Sequence, residues 1–249
     1  MIGERGGDGG KSKWRTGVER SNSKGPDLKF WEYFSTYKYT ILALSVVFLF
    51  FAMPLLDRAG QDFARFLFLM LLATVLWTLG LPRWLLTLCL VPGLMGFGFH
   101  LLIHNIDLSG AVFRVFEMAK MGTYTLFYGI CLLIFLHRIF SETTVTIDSI
   151  QGGIAIYFLS GVLWAFLYQT LLLFDPDAIL FSDHVLGAFS DLIYFSFITM
   201  TTLGYGDIMP ISRMAKNLAV LEAVWGQTYL AVLVARLVGL HLSGSGRFN

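Results

Sequence analysis

Long uncharged runs separated by short charged segments dominate the chain from residue 39 onward. A bilayer core about 30 Å thick needs about 20 helical residues, so each such run is a candidate membrane span. Five of them precede the last quarter of the chain: Tyr39 to Leu56, Phe66 to Pro82, Trp84 to Ile106, Met121 to His137, and Ser149 to Phe174. One helix through the second and third would be roughly 60 Å long. The pair Pro82-Arg83 therefore predicts a tight turn between two spans.

The C-terminal part follows a different pattern. The apolar run from Leu192 to Gly206 has about 15 residues, too few to cross a bilayer easily, and it ends in a Gly-Tyr-Gly that favours non-helical backbone. Irregular backbone at membrane depth requires protein or a water-filled cavity around it, so this run predicts a re-entrant segment. A last span from about Met214 to Leu240 contains Glu222 and Arg236. The fold predicted is an all-α integral membrane protein of six transmembrane helices, with a re-entrant helix and loop between the fifth and sixth.

Composition supports this fold and excludes several function classes. The 249 residues are 56% hydrophobic and 14% charged, too apolar for an ordinary soluble domain. Eight of the 18 Lys and Arg residues precede the first apolar run, in a polar, Gly-rich tail that we expect to be largely disordered and not a cleaved signal peptide. No run is basic enough to predict binding of nucleic acid. Cys89 and Cys131 lie inside apolar runs and are predicted to be packing residues.

Basic residues beside the short loops predict the orientation in the cell membrane. If the N-terminus is cytoplasmic, five of them fall on the cytoplasmic side: Lys29, Lys38, Arg83, Arg138 and Arg247. Three fall on the other side, Arg58, Arg65 and Arg114, where nearby acidic residues partly offset them. Both termini are then cytoplasmic, and the loop before the re-entrant segment is extracellular, as is Asp207.

The residues around the Gly-Tyr-Gly carry the most specific chemistry. The tripeptide alone is weak evidence in a chain with 25 glycines and 10 tyrosines, but Thr202 and Leu203 before it and Asp207 after it make a rare combination. Stacked backbone carbonyls can replace the hydration shell of a potassium ion. Pointing successive carbonyls the same way requires some positive φ angles, which Gly204 and Gly206 permit.

The segment from Tyr194 to Asp207, YFSFITMTTLGYGD, resembles the pore loop of the potassium channel family. The resemblance extends over about residues 150–241, a two-helix pore module. It implies a homotetramer, because each chain carries one filter strand, with K+ as the permeant ion and no cofactor. The expected filter is Thr202, Leu203, Gly204, Tyr205 and Gly206, with K+ bound by the carbonyls of the first four and the Thr202 hydroxyl. The Leu203 side chain and the Tyr205 ring are expected to pack behind the filter.

The resemblance also implies roles for residues around the filter. Tyr194 and Phe195 match an aromatic cuff, and Thr201 and Asp207 flank the filter as supports. The pore helix is expected from about Ser182 to Met200. Some family members hold the filter aspartate with an acid three residues before the first threonine of the Thr-Thr pair. This chain has Ile198 there, so that brace is not expected.

The last span carries the expected cavity and gate. Gly226 lies where the family's inner-helix hinge glycine falls, and both a hinge and close packing stay open for it. Gln227, Leu230 and Val234 follow at helical spacing and are expected to line the cavity and to gate by dewetting. Glu222 is an intramembrane carboxylate, which is costly unless paired or wet. We expect it to form a hydrogen bond to the pore helix or to a neighbouring subunit.

Four regions follow from these elements: a cytoplasmic tail at 1–38, four transmembrane helices at 39–140, the pore module at 149–241 and a short cytoplasmic tail at 242–249. Between Lys120 and Arg138 the fourth span has no basic residue but His137, so a strong voltage sensor is not predicted. Only nine residues follow Leu240. A gating ligand is thus expected to act through the N-terminal tail, the lipid bilayer or a separate regulatory partner.

The function predicted is passive, selective conduction of potassium, without enzyme chemistry. A weakly selective cation channel is a close alternative, against which the intact filter motif argues. A secondary transporter with a broken-helix ion site would predict paired interruptions in two inverted repeats, and the sequence has one re-entrant motif. A membrane enzyme would need a coherent set of catalytic residues. His100 and His104 have a spacing compatible with metal, but an anchoring role at the membrane interface is favoured.

Overall fold

The computed structural model describes residues 39–48, 74, 82–105, 110–143, 146–182 and 189–245. Within these ranges the chain forms the helices α1 (Tyr39–Phe48), α2 (Arg83–Asn105), α3 (Gly110–Ser141), α4 (Ile147–Phe174), α5 (Phe189–Met200) and α6 (Arg213–Ser245). Two strands of three residues each, β1 (Ile179–Phe181) and β2 (Ile208–Pro210), pair antiparallel on either side of α5 in the sequence. The described architecture is therefore helical apart from this small ladder.

Four helices are long and apolar enough to cross a membrane, and they correspond to the third to sixth predicted spans. Their apolar stretches are Trp84–Ile103, Gly110–Ser141, Ile147–Phe174 and Arg213–Leu240. The first predicted span begins with α1, whereas most of the second lies outside the described residues, as do the tail at 1–38 and residues 246–249. An integral membrane architecture is thus supported, while six spans and a tetramer stay predictions.

The helix ends differ from the predicted boundaries for physical reasons. Helix α3 begins at Gly110 and not at Met121, because an uncharged run marks the membrane core, whereas helical hydrogen bonds continue into charged residues. In its first turns Lys120 pairs with Glu117 at 2.7 Å, an i,i+3 spacing that stabilises helices. Helix α6 likewise continues to Ser245, past the predicted boundary at residue 241.

The junction between α3 and α4 also anchors the first helix. Thr146 begins α4 with a capping box, in which its hydroxyl accepts from the Ser149 N–H at 3.0 Å. In the first turn of α4, the Asp148 carboxylate accepts from the backbone N–H groups of Tyr39 and Thr40, both at 3.1 Å. These are N–H groups that the start of α1 cannot satisfy within its own helix. The carboxylate therefore caps α1 from another helix.

Glycines on α4 let helices α5 and α6 approach it closely. A Cβ at Gly153 would lie 2.9 Å from the Leu233 side chain of α6, and one at Gly161 would lie 2.8 Å from the Phe197 ring of α5. Such small residues allow membrane helices to pack at short distance. A buried cluster that includes Tyr168, Leu192 and Phe195 fills the space between α4 and α5. Helix α4 thus holds the short helix α5 in position.

Candidate ion-conduction site

The loop after α5 is held by the last turn of that helix. Four consecutive backbone N–H groups donate to α5 carbonyls: Thr201 to Phe197 at 3.0 Å, Thr202 to Thr199 at 3.0 Å, and Leu203 and Gly204 both to Ile198, at 2.8 and 3.1 Å. Within the described part of the chain, the carbonyls of residues 202–205 accept no backbone N–H. The N–H groups of the loop therefore bind the helix, and the loop carbonyls stay available for a ligand.

Left-handed backbone alternates along this loop. The φ angles of Thr202, Gly204 and Gly206 are 59°, 51° and 81°. Positive φ was predicted at the two glycines, and the structure confirms it there. The sequence did not indicate it at Thr202, where a side chain makes the conformation cost roughly 1–2 kcal/mol. The hydrogen bonds at residues 201–204 offset that strain.

Two apolar side chains of the loop project from the subunit. Leu203 is 54% exposed and Tyr205 is 68% exposed. The surface behind the loop is not filled by side chains of the same subunit, so the packing of Leu203 and Tyr205 behind the filter stays a prediction for the assembled ring. A cleft of about 330 Å³ lies there instead, with Phe195, Ile198 and Ala223 among its lining residues.

The aspartate after the glycines is braced by a phenol. Tyr194 Oη donates to Asp207 Oδ2 at 2.8 Å, and Asp207 Oδ1 accepts from the Ile208 N–H at 3.2 Å. Ile198 brings no acid to Asp207, as the sequence indicated, so the brace that the structure shows comes from Tyr194. Phe195 differs from its neighbour: it is buried, with its ring 4.9 Å from that of Tyr168.

Thr201 and the β1–β2 ladder fix the two ends of the loop. Thr201 Oγ1 donates to the Phe197 carbonyl at 2.6 Å, which satisfies an acceptor at the end of α5. After the loop, Ile208 pairs with Phe181, and the Ser182 N–H donates to the Asp207 carbonyl at 3.0 Å. Ser182, the approximate start predicted for the pore helix, directly follows β1, and residues 183–188 lie outside the described residues. The described helix starts at Phe189.

Helix α6 contacts the end of α5 at its glycine. A Cβ at Gly226 would lie 2.5 Å from the Met200 carbonyl oxygen, and Gln227 Nε2 donates to the same oxygen at 3.1 Å. Helix α6 is continuous across Gly226. Close packing is therefore the role that this structure shows. Leu230 and Val234 are 39% and 57% exposed on α6, and their place along a cavity stays a prediction.

Glu222 joins three helices in the interior. Its Oε1 lies 2.5 Å from Ser196 Oγ of α5, and its Oε2 accepts from Tyr168 Oη of α4 at 2.6 Å. Ser196 Oγ is also 2.8 Å from the Gly161 carbonyl oxygen. The expected hydrogen bond between Glu222 and the pore helix is confirmed. Ser196 and Tyr168 were not singled out from the sequence, where only the cost of a buried carboxylate indicated that such partners exist.

Part of the chain that includes this loop is similar to known proteins. Residues 153–240 match the family described as "Ion channel". The chain is 48% identical over 46 residues to the inward rectifier potassium channel Kirbac3.1 of Paramagnetospirillum magnetotacticum, which is 18% of this chain and 16% of that protein. It is 38% identical over 63 residues to two-pore potassium channel 4 of Arabidopsis thaliana, or 25% of this chain and 22% of that protein.

The similarity is confined to part of each protein. The chain spans less than a quarter of the length of either relative. No solved structure is significantly similar to it. The matched residues 153–240 begin on α4 and end on α6, and they include α5 and the loop with alternating φ. Residues 153–240 are therefore an ion channel segment by similarity, and part of the chain is similar to potassium channels.

Proposed function

We propose that the chain is one subunit of a homotetrameric channel that conducts K+ passively and selectively, and that it is not an enzyme. The observation that carries the proposal is the alternation of positive φ at Thr202, Gly204 and Gly206. Together with the N–H groups bound to α5, it leaves successive carbonyl oxygens for a dehydrated cation. The names of the two relatives favour potassium as that cation.

The proposed ion ligands are the carbonyls of Thr202, Leu203, Gly204 and Tyr205 and the Thr202 hydroxyl. In the single subunit this hydroxyl donates to the Thr201 carbonyl at 2.6 Å, so its oxygen keeps lone pairs that can face an ion. Helix α5 ends directly before the loop. Its C-terminal end carries partial negative charge, which favours a cation beneath the filter.

Exposed apolar surface favours four copies around one axis. Tyr205 and Leu203 project from the subunit beside an apolar cleft, and further exposed side chains follow along α6: Val220, Val224, Leu230, Val234 and Val238. In a membrane protein such surface contacts either lipid or another subunit, and the irregular backbone of the loop at Leu203 and Tyr205 requires protein or a water-filled cavity around it. In a ring of identical subunits each filter loop would meet the cleft of a neighbour. The rotation that repeats this contact also closes the ring.

The first helices are proposed to be a weak voltage sensor at most. In α3 the basic residues Arg114 and Lys120 precede an uncharged stretch that ends at His137 and Arg138, and Lys120 is paired with Glu117. Steep voltage dependence needs several mobile charges within the membrane. We further propose a multi-pass location in the cell membrane with both termini in the cytoplasm.

Ion flux from proteoliposomes tests this function directly. The purified chain is reconstituted, and the fluxes of K+ and Na+ down equal gradients are compared, with and without barium. We expect K+ flux to exceed Na+ flux and to be blocked by barium. Equal fluxes would indicate a weakly selective cation channel. Flux that is coupled to protons would indicate a secondary transporter with a broken-helix site, and either result would refute the proposal.

A further inference from the structure

The Glu222 carboxyl group is enclosed by its own subunit. It is 0% exposed, as is Ser196, and Tyr168 is equally buried. The side chains and backbone of one subunit therefore cover it completely. In the described part of the chain no basic side chain forms an ion pair with Glu222. The titratable groups that interact with it are the phenols of Tyr157 and Tyr168 on α4.

The hydrogen bonds around this carboxyl group require a particular number of protons. Three oxygen–oxygen contacts form the cluster: Tyr168 Oη to Glu222 Oε2 at 2.6 Å, Ser196 Oγ to Glu222 Oε1 at 2.5 Å, and Ser196 Oγ to the Gly161 carbonyl at 2.8 Å. Each hydroxyl supplies one proton, and a carbonyl supplies none. An ionised carboxylate would leave three contacts with two protons. A third proton must come from Glu222 itself.

We propose that Glu222 is a neutral carboxylic acid that serves as a positioning residue for α5. Its proton is donated to Ser196 Oγ, the Ser196 proton goes to the Gly161 carbonyl, and Glu222 Oε2 accepts from Tyr168. Every member of the cluster is then satisfied, and no charge is buried without a partner. The acid links the inner helix α6 to both α4 and α5.

The link reaches the filter through short stretches of helix. Ser196 lies two residues before Ile198, whose carbonyl accepts from the Leu203 and Gly204 N–H groups of the loop. On α6, Gln227 lies five residues after Glu222 and donates to the Met200 carbonyl, where α5 ends. A shift of α5 at Ser196 would therefore move the acceptors that hold the loop. The proposal depends on the proposed function only in treating that loop as the filter.

Glutamine distinguishes a neutral from an ionised Glu222. In Glu222→Gln, the amide NH2 can donate to Ser196 Oγ and the amide oxygen can accept from Tyr168, so every bond of a neutral acid is kept. Glutamine cannot carry the charge of an ionised Glu222, so any function that needs that charge would be lost in this variant. Glu222→Ala leaves Ser196 and Tyr168 without this partner in either case.

Two measurements on the reconstituted full-length tetramer test the proposal. The first is the infrared difference spectrum between wild type and Glu222→Gln. We expect the carbonyl stretch of a buried protonated acid in wild type and not in Glu222→Gln. In Tyr168→Phe the frequency of this band should shift. The second is the K+ to Na+ flux ratio. We expect the flux ratio of Glu222→Gln to stay within about twofold of the wild-type ratio. The ratio of Glu222→Ala should fall about tenfold, as for one unsatisfied buried group. Glu117→Gln on α3 is the matched control and should change neither.

Different results would overturn the neutral state of Glu222 and its positioning role. An infrared band of an ionised carboxylate at this position, or a Glu222→Gln channel as impaired as Glu222→Ala, would show that the charged form is needed. An unchanged flux ratio in a folded Glu222→Ala tetramer would remove the positioning role. If wild type itself does not select K+, the proposed function fails, whereas the infrared result still decides the protonation of Glu222.

Discussion

Replacing Gly226 by alanine tests whether this glycine serves packing or bending. A Cβ there would lie 2.5 Å from the Met200 carbonyl oxygen, about 0.9 Å short of the 3.4 Å at which ordinary van der Waals contact begins. Backbone atoms form the obstruction, since the carbonyl carbon and the Cα of Met200 are both 3.1 Å away. They cannot rotate aside as a flexible side chain would. We therefore expect α6 and the end of α5 to separate.

The size of the effect follows from two opposing contributions. Overpacking a tight contact costs about 1–3 kcal/mol, whereas alanine in place of glycine within a helix gains about 1 kcal/mol. The net destabilisation is about 0–2 kcal/mol per subunit, and the proposed tetramer, with four independent sites, would lose up to about 8 kcal/mol. Gly239→Ala is the matched control on the same helix, because a Cβ at Gly239 meets no atom within 4 Å in the subunit. It should gain about 1 kcal/mol.

Thermal unfolding of the purified protein and the K+ to Na+ flux ratio are the assays. We expect Gly226→Ala to lower both the Tm and the flux ratio, because the Met200 carbonyl directly precedes the loop proposed as the filter. Gly239→Ala should keep the flux ratio and keep or raise the Tm. A Gly226→Ala protein with unchanged Tm and selectivity but fewer openings would refute the packing argument and favour a hinge.

Three further substitutions probe other supports of the filter and the fold. Gly204→Ala places a side chain at a φ of 51°, a strain of roughly 1–2 kcal/mol per subunit, and should abolish selective K+ flux while the protein stays in the membrane. Tyr194→Phe removes the donor to Asp207 at a cost of about 1.5–3 kcal/mol, and its K+ flux should decay faster with time than that of wild type. Tyr157→Phe is the control, because the Tyr157 hydroxyl has no hydrogen-bond partner among the described residues, and its K+ flux should decay as in wild type. Asp148→Ala removes the cap of α1 and should lower the free energy of unfolding by about 1 kcal/mol, measured by denaturant titration; an unchanged value would contradict the capping role.

The sequence predicted the features that depend on the local conformation of the backbone, such as φ angles and helix bounds. Gly204 and Gly206 were expected at positive φ because side chains resist that conformation, and the structure has both there. The helix from Arg83 to Asn105 likewise agrees within one residue with the uncharged run from Trp84 to Ile106. Such features need no knowledge of distant parts of the chain.

The sequence did not predict the features that depend on contacts between distant segments of the chain. The β1–β2 ladder has strands of three residues, too short for an alternating pattern to be recognised. Positive φ at Thr202 arises from the hydrogen bonds between the loop and α5, against the preference of a β-branched residue. The sequence indicated that Glu222 needs a partner, but only the packing of three helices identifies Ser196 and Tyr168.

The loop at residues 201–207 takes its backbone and aspartate supports from a short piece of its own chain. The loop N–H groups bind carbonyls of residues 197–199, and the brace on Asp207 comes from Tyr194. These bonds lie within the 14 residues from Tyr194 to Asp207. A segment that carries its own scaffolding can be inherited as one block while the surrounding helices diverge.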